Sequence, residues 1–219
     1  MNNVLKSIKL DFMLIKEYFK IFIYILIISV FLSASSKFLI GGLVTSVSIL
    51  AMRFTSLTFE SEEKNNITNL YGILPISKKH HVVGRFIFTI IIGIATLMIS
   101  LIIQSIILIT MGVTITGTTC ILGLILSMVV YLFTIALQLP GFYKYGAIKG
   151  RMFTLIPLAG FFIVYYLLGK LENWGISTTI TFTNAIKDPT LTALIALIIT
   201  IMISIISMII SVKIYEDKE

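Results

Sequence analysis

The sequence predicts an all-α protein, an integral membrane helical bundle of six transmembrane helices in one domain, and three observations lead there. Hydrophobic residues make up 58% of the 219 positions and charged residues 12%, about half the roughly 25% usual in a soluble domain. The mean hydropathy is +1.05. The charges are also gathered into short runs, and the apolar stretches between them are long enough to cross about 30 Å of hydrocarbon as helices.

Residues 1–20 lack the form of a cleaved signal peptide, because Asp11, Lys16 and Glu17 interrupt the apolar run. Val4, Leu5, Ile8, Phe12, Ile15 and Phe19 recur at helical spacing, with Lys6, Lys9, Lys16 and Lys20 mostly off that face. That pattern predicts an amphipathic interfacial helix whose lysines turn toward anionic headgroups. The first span, residues 21–36, is short for a bilayer, so Lys20 and Lys37 are expected to snorkel at its ends. The second, residues 38–59, starts almost at once and forces a tight extracellular turn. Its Gly41, Gly42, Thr45, Ser46 and Ser48 supply the small and hydroxylated side chains that let helices approach closely.

Within this second span stands Arg53. A charge at mid-membrane costs about 2.5–3.5 kcal/mol, so Arg53 is expected near an end, paired or facing water. Snorkelling to the interface that holds Glu60 and a gate or pathway role both stay open.

After a polar loop at residues 59–85, residues 86–111 form a long third span whose Gln104 needs a partner on a neighbouring helix. The uncharged stretch 112–119 suits a short external connection, and residues 120–139 form the fourth span, stopped by Pro140 and Gly141. Residues 140–151 carry Lys144, Lys149 and Arg151 without an acid. Residues 152–168 make the fifth span, kinked at Pro157. Residues 169–189 are too long for a turn and too short to cross, which leaves an external cap or a re-entrant dip. Residues 190–212 are the sixth span, and 213–219 the tail.

Thirteen of the seventeen basic residues fall on one side of this arrangement: Lys6, Lys9, Lys16, Lys20, Lys64, Lys78, Lys79, Arg85, Lys144, Lys149, Arg151, Lys213 and Lys218. Lys37, Lys170 and Lys187 fall on the other, and Arg53 within a span. Basic residues collect in cytoplasmic loops, so both termini and the 59–85 loop are placed in the cytoplasm. The net charge of +7 then reflects orientation and not nucleic acid binding.

Catalytic and metal-binding patterns are missing. A single cysteine, Cys120, builds neither an internal disulfide nor a zinc site, and reads as a small packed or lipid-facing residue. Gly141 and Gly146 have the spacing of a phosphate loop, but Ala147 and Ile148 stand where Lys and Ser or Thr are needed. Glu62, Glu63, His80 and His81 form no HExxH and are placed in a solvated loop. Nothing resembles an ion-selectivity filter. The chain is expected to be no enzyme and to hold no cofactor or metal.

The longest polar interruption, ESEEKNNITNLYGILPISKKHHVVGR at residues 60–85, opens acidic with Glu60, Glu62 and Glu63 and closes basic with Lys78, Lys79 and Arg85. Between them Ile67, Leu70, Tyr71 and Leu74 share one helical face, with Ile73 beside it, until Pro75 ends the turns. Such a helix is shaped either to be gripped by another protein or to rest on lipid as an interfacial hairpin.

With these features the chain resembles the membrane subunit of ABC-2 type exporters, in particular the small six-span permeases of the phenol-soluble modulin and bacterial peptide exporter kind. The likeness is carried by the amphipathic N-terminal helix and by residues 58–86, where an acidic patch, a short helix, Leu74-Pro75-Ile76-Ser77-Lys78-Lys79 and a basic approach to the third span follow one another. The resemblance implies that the loop holds a cytoplasmic coupling helix docking on a separate ABC-type ATPase. Asn66, Ile67, Thr68, Asn69, Leu70, Tyr71, Ile73 and Leu74 would form it, with Leu70 and Tyr71 as anchors. ATP and magnesium would sit on that partner. A second permease, identical or homologous, would complete the path for amphipathic peptides or lipid-like cargo in a bacterial cytoplasmic membrane. Thr45, Ser46, Arg53 and Gln104 are the intramembrane polar candidates. Two other functions fit the composition: a non-pumping adaptor or immunity protein against antimicrobial peptides, and an energy-independent channel or carrier.

Overall fold

Some helices of this bundle turn large aliphatic side chains outward and small or hydroxylated ones inward, the reverse of a soluble bundle. The computed structural model describes residues 3–64, 77–173 and 189–217, the side chains of residues 3, 17, 19 and 156–173 excepted. Helix α1 (Asn3–Ile15) passes through a 3-10 turn into α2 (Phe19–Ser36) with a bend of 76°. Only Lys37 and Phe38 separate α2 from α3 (Leu39–Lys64), the tight turn expected, with Lys37 in the left-handed region at φ 50°. Helices α4 (Lys78–Thr110), α5 (Gly117–Asn173) and α6 (Pro189–Glu216) follow, and no strand occurs among the described residues. Helices α3, α4, α6 and α5 as far as Leu155 are each long and apolar enough to cross a membrane, and α1 with α2 makes a fifth crossing if the bent pair counts as one.

Helix α3 is the most enclosed of these and α6 the least. Leu43, Val47, Leu50 and Phe54 of α3 pack against Phe88 and Leu97 of α4 and against Tyr131, Ile135 and Leu139 of α5. Helix α6 instead buries Ala193, Thr200, Ser204, Ser207 and Ser211 and turns Ile198, Ile205 and Ile209 outward. In lipid, removing a large side chain from the surroundings yields little, whereas small residues let backbones approach and gain dispersion and hydrogen bonds. Helix α2 follows the same rule, with Ser29 and Ser33 inside and Phe31 outside.

The fourth span does not stop at Pro140. Helical backbone continues to Gly146, whose φ of 77° and ψ of −175° are open to glycine alone. In a straight helix, residues eight apart lie about 12 Å apart. Yet a Cβ built on Gly150 would meet the Phe142 ring at 2.5 Å, and one on Gly141 would overlap Phe153. The two arms of α5 therefore fold back on each other at Gly146. Pro140 is tolerated for a different reason. It has no amide to offer the carbonyl of Ala136, four residues earlier, and Ser207 of α6 donates its hydroxyl to that carbonyl at 2.6 Å.

The polar interruption is shorter than its sequence. Residues 60–64 complete the last turns of α3, and α4 begins at Lys78 with Ser77 as its N-cap, leaving 65–76 between them. The expected coupling helix, Asn66 to Leu74, lies outside the described residues, as do residues 174–188 of the expected cap or re-entrant segment.

Candidate functional site: a buried ion cluster at one end of the bundle

Glycine at position 84 decides how this site forms. Its missing side chain lets α1 lie against α4, since a Cβ there would meet Ser7 Cβ and Oγ at 2.7 Å. Ser7, Asp11 and Ile15, spaced by one turn each, are the face of α1 that packs inward. Of the apolar stripe expected on α1, Leu5 and Phe12 stay exposed while Ile15 is buried, and Asp11, which interrupts the apolar run in the sequence, is a buried contact.

Asp11 meets Arg85, which is wholly enclosed. The Arg85 guanidinium donates Nη2 to Asp11 Oδ1 at 3.0 Å and forks onto Glu62, Nη1 to Oε2 at 2.9 Å and Nη2 to Oε1. His81, one turn before Arg85 on α4, brings Nε2 to 3.4 Å from Glu62 Oε1, while its Nδ1 faces Ser7 Oγ at 3.3 Å. Phe59 lies flat against the guanidinium, 4.5 Å from Cζ to ring centroid, and stacks on Phe142 at 5.0 Å. Tyr143 and Tyr215 close the remaining side, their rings 5.4 Å apart. The planar fork of arginine suits this place, since it pairs with a carboxylate at two points and stacks on an aromatic face at once.

Glu62 and His81 are therefore not in a solvated loop, as the sequence implied. They are 6% and 3% exposed, because α3 and α4 continue through the polar residues and press them together.

The neighbouring acids of α3 reach elsewhere. Glu63 accepts the amide of Ala147 at 2.6 Å, an anion at the start of the second arm of α5, where the helix dipole favours it. Glu60 accepts from Arg151 on that arm at 2.9 Å and from Ser56 of its own helix. At the same end Lys79 lies 3.7 Å from Glu216, so the last turn of α6 sits beside the first turn of α4. The start of α1, the end of α3, the start of α4, the Gly146 break and the end of α6 thus share one end of the bundle.

The intramembrane candidates separate. Gln104 donates to Ser100 at 2.8 Å and reaches Ser29 of α2 at 3.4 Å, and Ser100 in turn donates to Ser46 of α3 at 3.1 Å. A Cβ on Gly42 would overlap Gln104 and Ser33, so this glycine sets the spacing of α2, α3 and α4. Thr45 stays outside that network and donates to Gly42 O of its own helix at 2.9 Å. Arg53 is exposed on α3 and joins neither network. Sequence reasoning missed the pair Thr55 and Gln138, 2.7 Å apart and buried, and did not connect Asp11 with Arg85. The one available signal was the i, i+4 spacing of His81 and Arg85, which puts both on one face of α4.

These features define a polytopic helical membrane protein whose polar side chains join helices, with no group able to hold a metal among the described residues. Comparison with known families matches residues 8–216 to the ABC-2 family transporter proteins, and the chain belongs to that family. It is the membrane permease component of an ABC transporter, and membership implies an ABC-type ATPase as partner. Comparison with curated proteins and with solved structures returned no match.

Proposed function

We propose that this permease is the membrane half of an exporter, moved by a separate ATPase that grips the segment between α3 and α4. The observation that carries the reading is the Arg85, Glu62 and Asp11 cluster, which joins the helix ends on either side of residues 65–76. It ties the last turn of α3 to the first turns of α4 and to α1, so a pull on that segment displaces three helices together instead of unwinding one. Glu60 and Glu63 extend the tie to the second arm of α5.

In this reading residues 66–74 form the coupling helix, Leu70 and Tyr71 fill a groove on the ATPase, and ATP and magnesium stay on that partner. The crossings number six: α2, α3, α4, the two arms of α5, and α6. Both termini and the coupling helix face the cytoplasm of a bacterial cell, supported by the bias of thirteen basic residues against three. Two permeases, identical or homologous, enclose the path. Its apolar walls suit amphipathic peptides or other hydrophobic cargo, and nucleotide-driven closure of the ATPases opens it outward.

The test is co-purification with the cognate ATPase and stimulation of its hydrolysis in proteoliposomes. Leu70→Asp and Tyr71→Asp are expected to abolish both while leaving the permease's melting temperature unchanged. Unimpaired co-purification of both variants, or export of a fluorescent amphipathic peptide from proteoliposomes lacking any ATPase, overturns the reading.

A further inference from the structure

Arg53 occupies the middle of α3, and among the described residues no carboxylate pairs with it. Counting 1.5 Å per residue, it lies about 16 Å from the Lys64 end and about 21 Å from the Leu39 end. Its helix neighbours Leu50, Ala51, Phe54 and Thr55 are buried, whereas Arg53 itself is exposed and has no hydrogen-bond or ion-pair partner among the described residues. Glu60, two turns on, is the nearest acid along the helix and is already held by Arg151 and Ser56. Side chains on a helix lean toward its N-terminus, which carries the guanidinium away from the Glu60 end and disfavours the snorkelling route.

The described residues of a second copy of the chain do not supply the missing charge either. No Asp or Glu occurs between Glu17 and Glu60, between Glu63 and Glu172, or between Asp188 and Glu216. Among the described residues every carboxylate therefore lies near an end of a helix, and none at the depth of Arg53. A guanidinium facing hydrocarbon costs about 2.5–3.5 kcal/mol, so this face must meet water or an anion.

We infer that Arg53 lines a water-filled path through the membrane and is a station for an anionic group carried by the cargo, a carboxylate, sulfate or phosphate. The inference rests on the permease reading, which supplies the path. It adds that the path selects for negative charge, through a fork able to hold two anionic oxygens at once.

Membrane-impermeant thiol reagents test it in vesicles holding the permease with its ATPase, in a Cys120→Ser background. Arg53→Cys is expected to react with anionic sulfonatoethyl and cationic trimethylammonioethyl methanethiosulfonate in intact vesicles. Reaction only after unfolding in dodecyl sulfate means lipid or protein covers the position, and overturns the inference. With Arg53 retained, Leu57→Cys one turn away is expected to favour the anionic reagent by about fivefold relative to Leu57→Cys with Arg53→Gln. Equal ratios overturn the anionic station. Decyl sulfate is expected to protect Arg53-proximal Leu57→Cys equally in phosphatidylcholine vesicles with and without phosphatidylglycerol. Protection by phosphatidylglycerol alone assigns the site to a lipid headgroup and overturns the path. ATPase stimulation, measured in the same vesicles, separates the two readings: coupling retained with a silent Arg53→Cys removes this inference alone.

Discussion

Arg85 and Glu62 stand 23 positions apart in the chain, yet form a two-point ion pair from which water is almost wholly excluded. Glu62 lies in the last turn of α3 and Arg85 near the start of α4, so the pair clasps together the two helix ends that flank residues 65–76 in sequence. An ion pair in such a place does not add stability simply by existing, because both partners lose hydration. Its consequence is that neither partner tolerates the loss of the other.

Arg85→Ala therefore leaves Asp11 and Glu62 enclosed with no guanidinium between them, and is expected to cost about 3–5 kcal/mol. Thermal unfolding in detergent, followed by size-exclusion chromatography, measures it. Arg85→Lys restores charge but not the fork and should recover only part of the loss. The triple change Arg85→Met, Glu62→Leu and Asp11→Leu removes the charges together and should recover most of it, while ATPase stimulation stays lost. Unchanged melting of Arg85→Ala would contradict the cluster.

Ser207 and Pro140 make a second, separable pair. Ser207→Ala removes the donor that serves the Ala136 carbonyl and is expected to cost about 1–3 kcal/mol, the penalty of a buried acceptor left unmade. Pro140→Ala restores an amide to that carbonyl. In the Pro140→Ala background the cost of Ser207→Ala should fall below about 1 kcal/mol, and a double-mutant cycle on melting temperature reads the difference.

Gly146→Ala forces a side chain into φ 77°, ψ −175° and brings its Cβ to 2.8 Å from Glu63 Oε1. A loss of about 1–3 kcal/mol is expected from the backbone conformation alone. Glu63→Ala in the same chain removes the contact but not the conformation, so it should rescue little. Full rescue would place the strain in the contact.

Gln104→Leu is predicted to be mild. Hydrogen bonds between membrane helices average about 0.6 kcal/mol and reach about 1.7, because the unfolded helices also find partners in lipid. Gly42→Ala should exceed it, since the added carbon overlaps both Gln104 and Ser33 and must push α2 or α4 away. Comparing the two variants' melting temperatures decides whether packing or hydrogen bonding sets the α2, α3 and α4 spacing.

Much of the helix layout was legible from hydropathy because a span is a local property. The tight turn at Lys37 and Phe38, the glycine and serine contacts of α3 and the need of Gln104 for partners all follow from short stretches. The helix ends were less legible. Pro140 read as a stop because its missing donor is visible in sequence, while the Ser207 hydroxyl that replaces it lies 67 residues away. Polar residues 60–64 and 78–85 read as loop because nothing local announces that their charges will pair with each other.

By itself the sequence determined that this chain lives in a membrane as helices, how its basic residues are distributed between the spans, and that it carries no recognisable catalytic motif. Those conclusions depend on hydropathy, charge and residue type, which need no neighbours. Only the tertiary structure decided what the charges do. Asp11, Glu62 and Arg85 became one enclosed cluster because Gly84 let two helices touch, whereas Arg53, the same residue type in a similar setting, was left facing outward. The difference is the position of a counter-charge in space, which no local pattern carries.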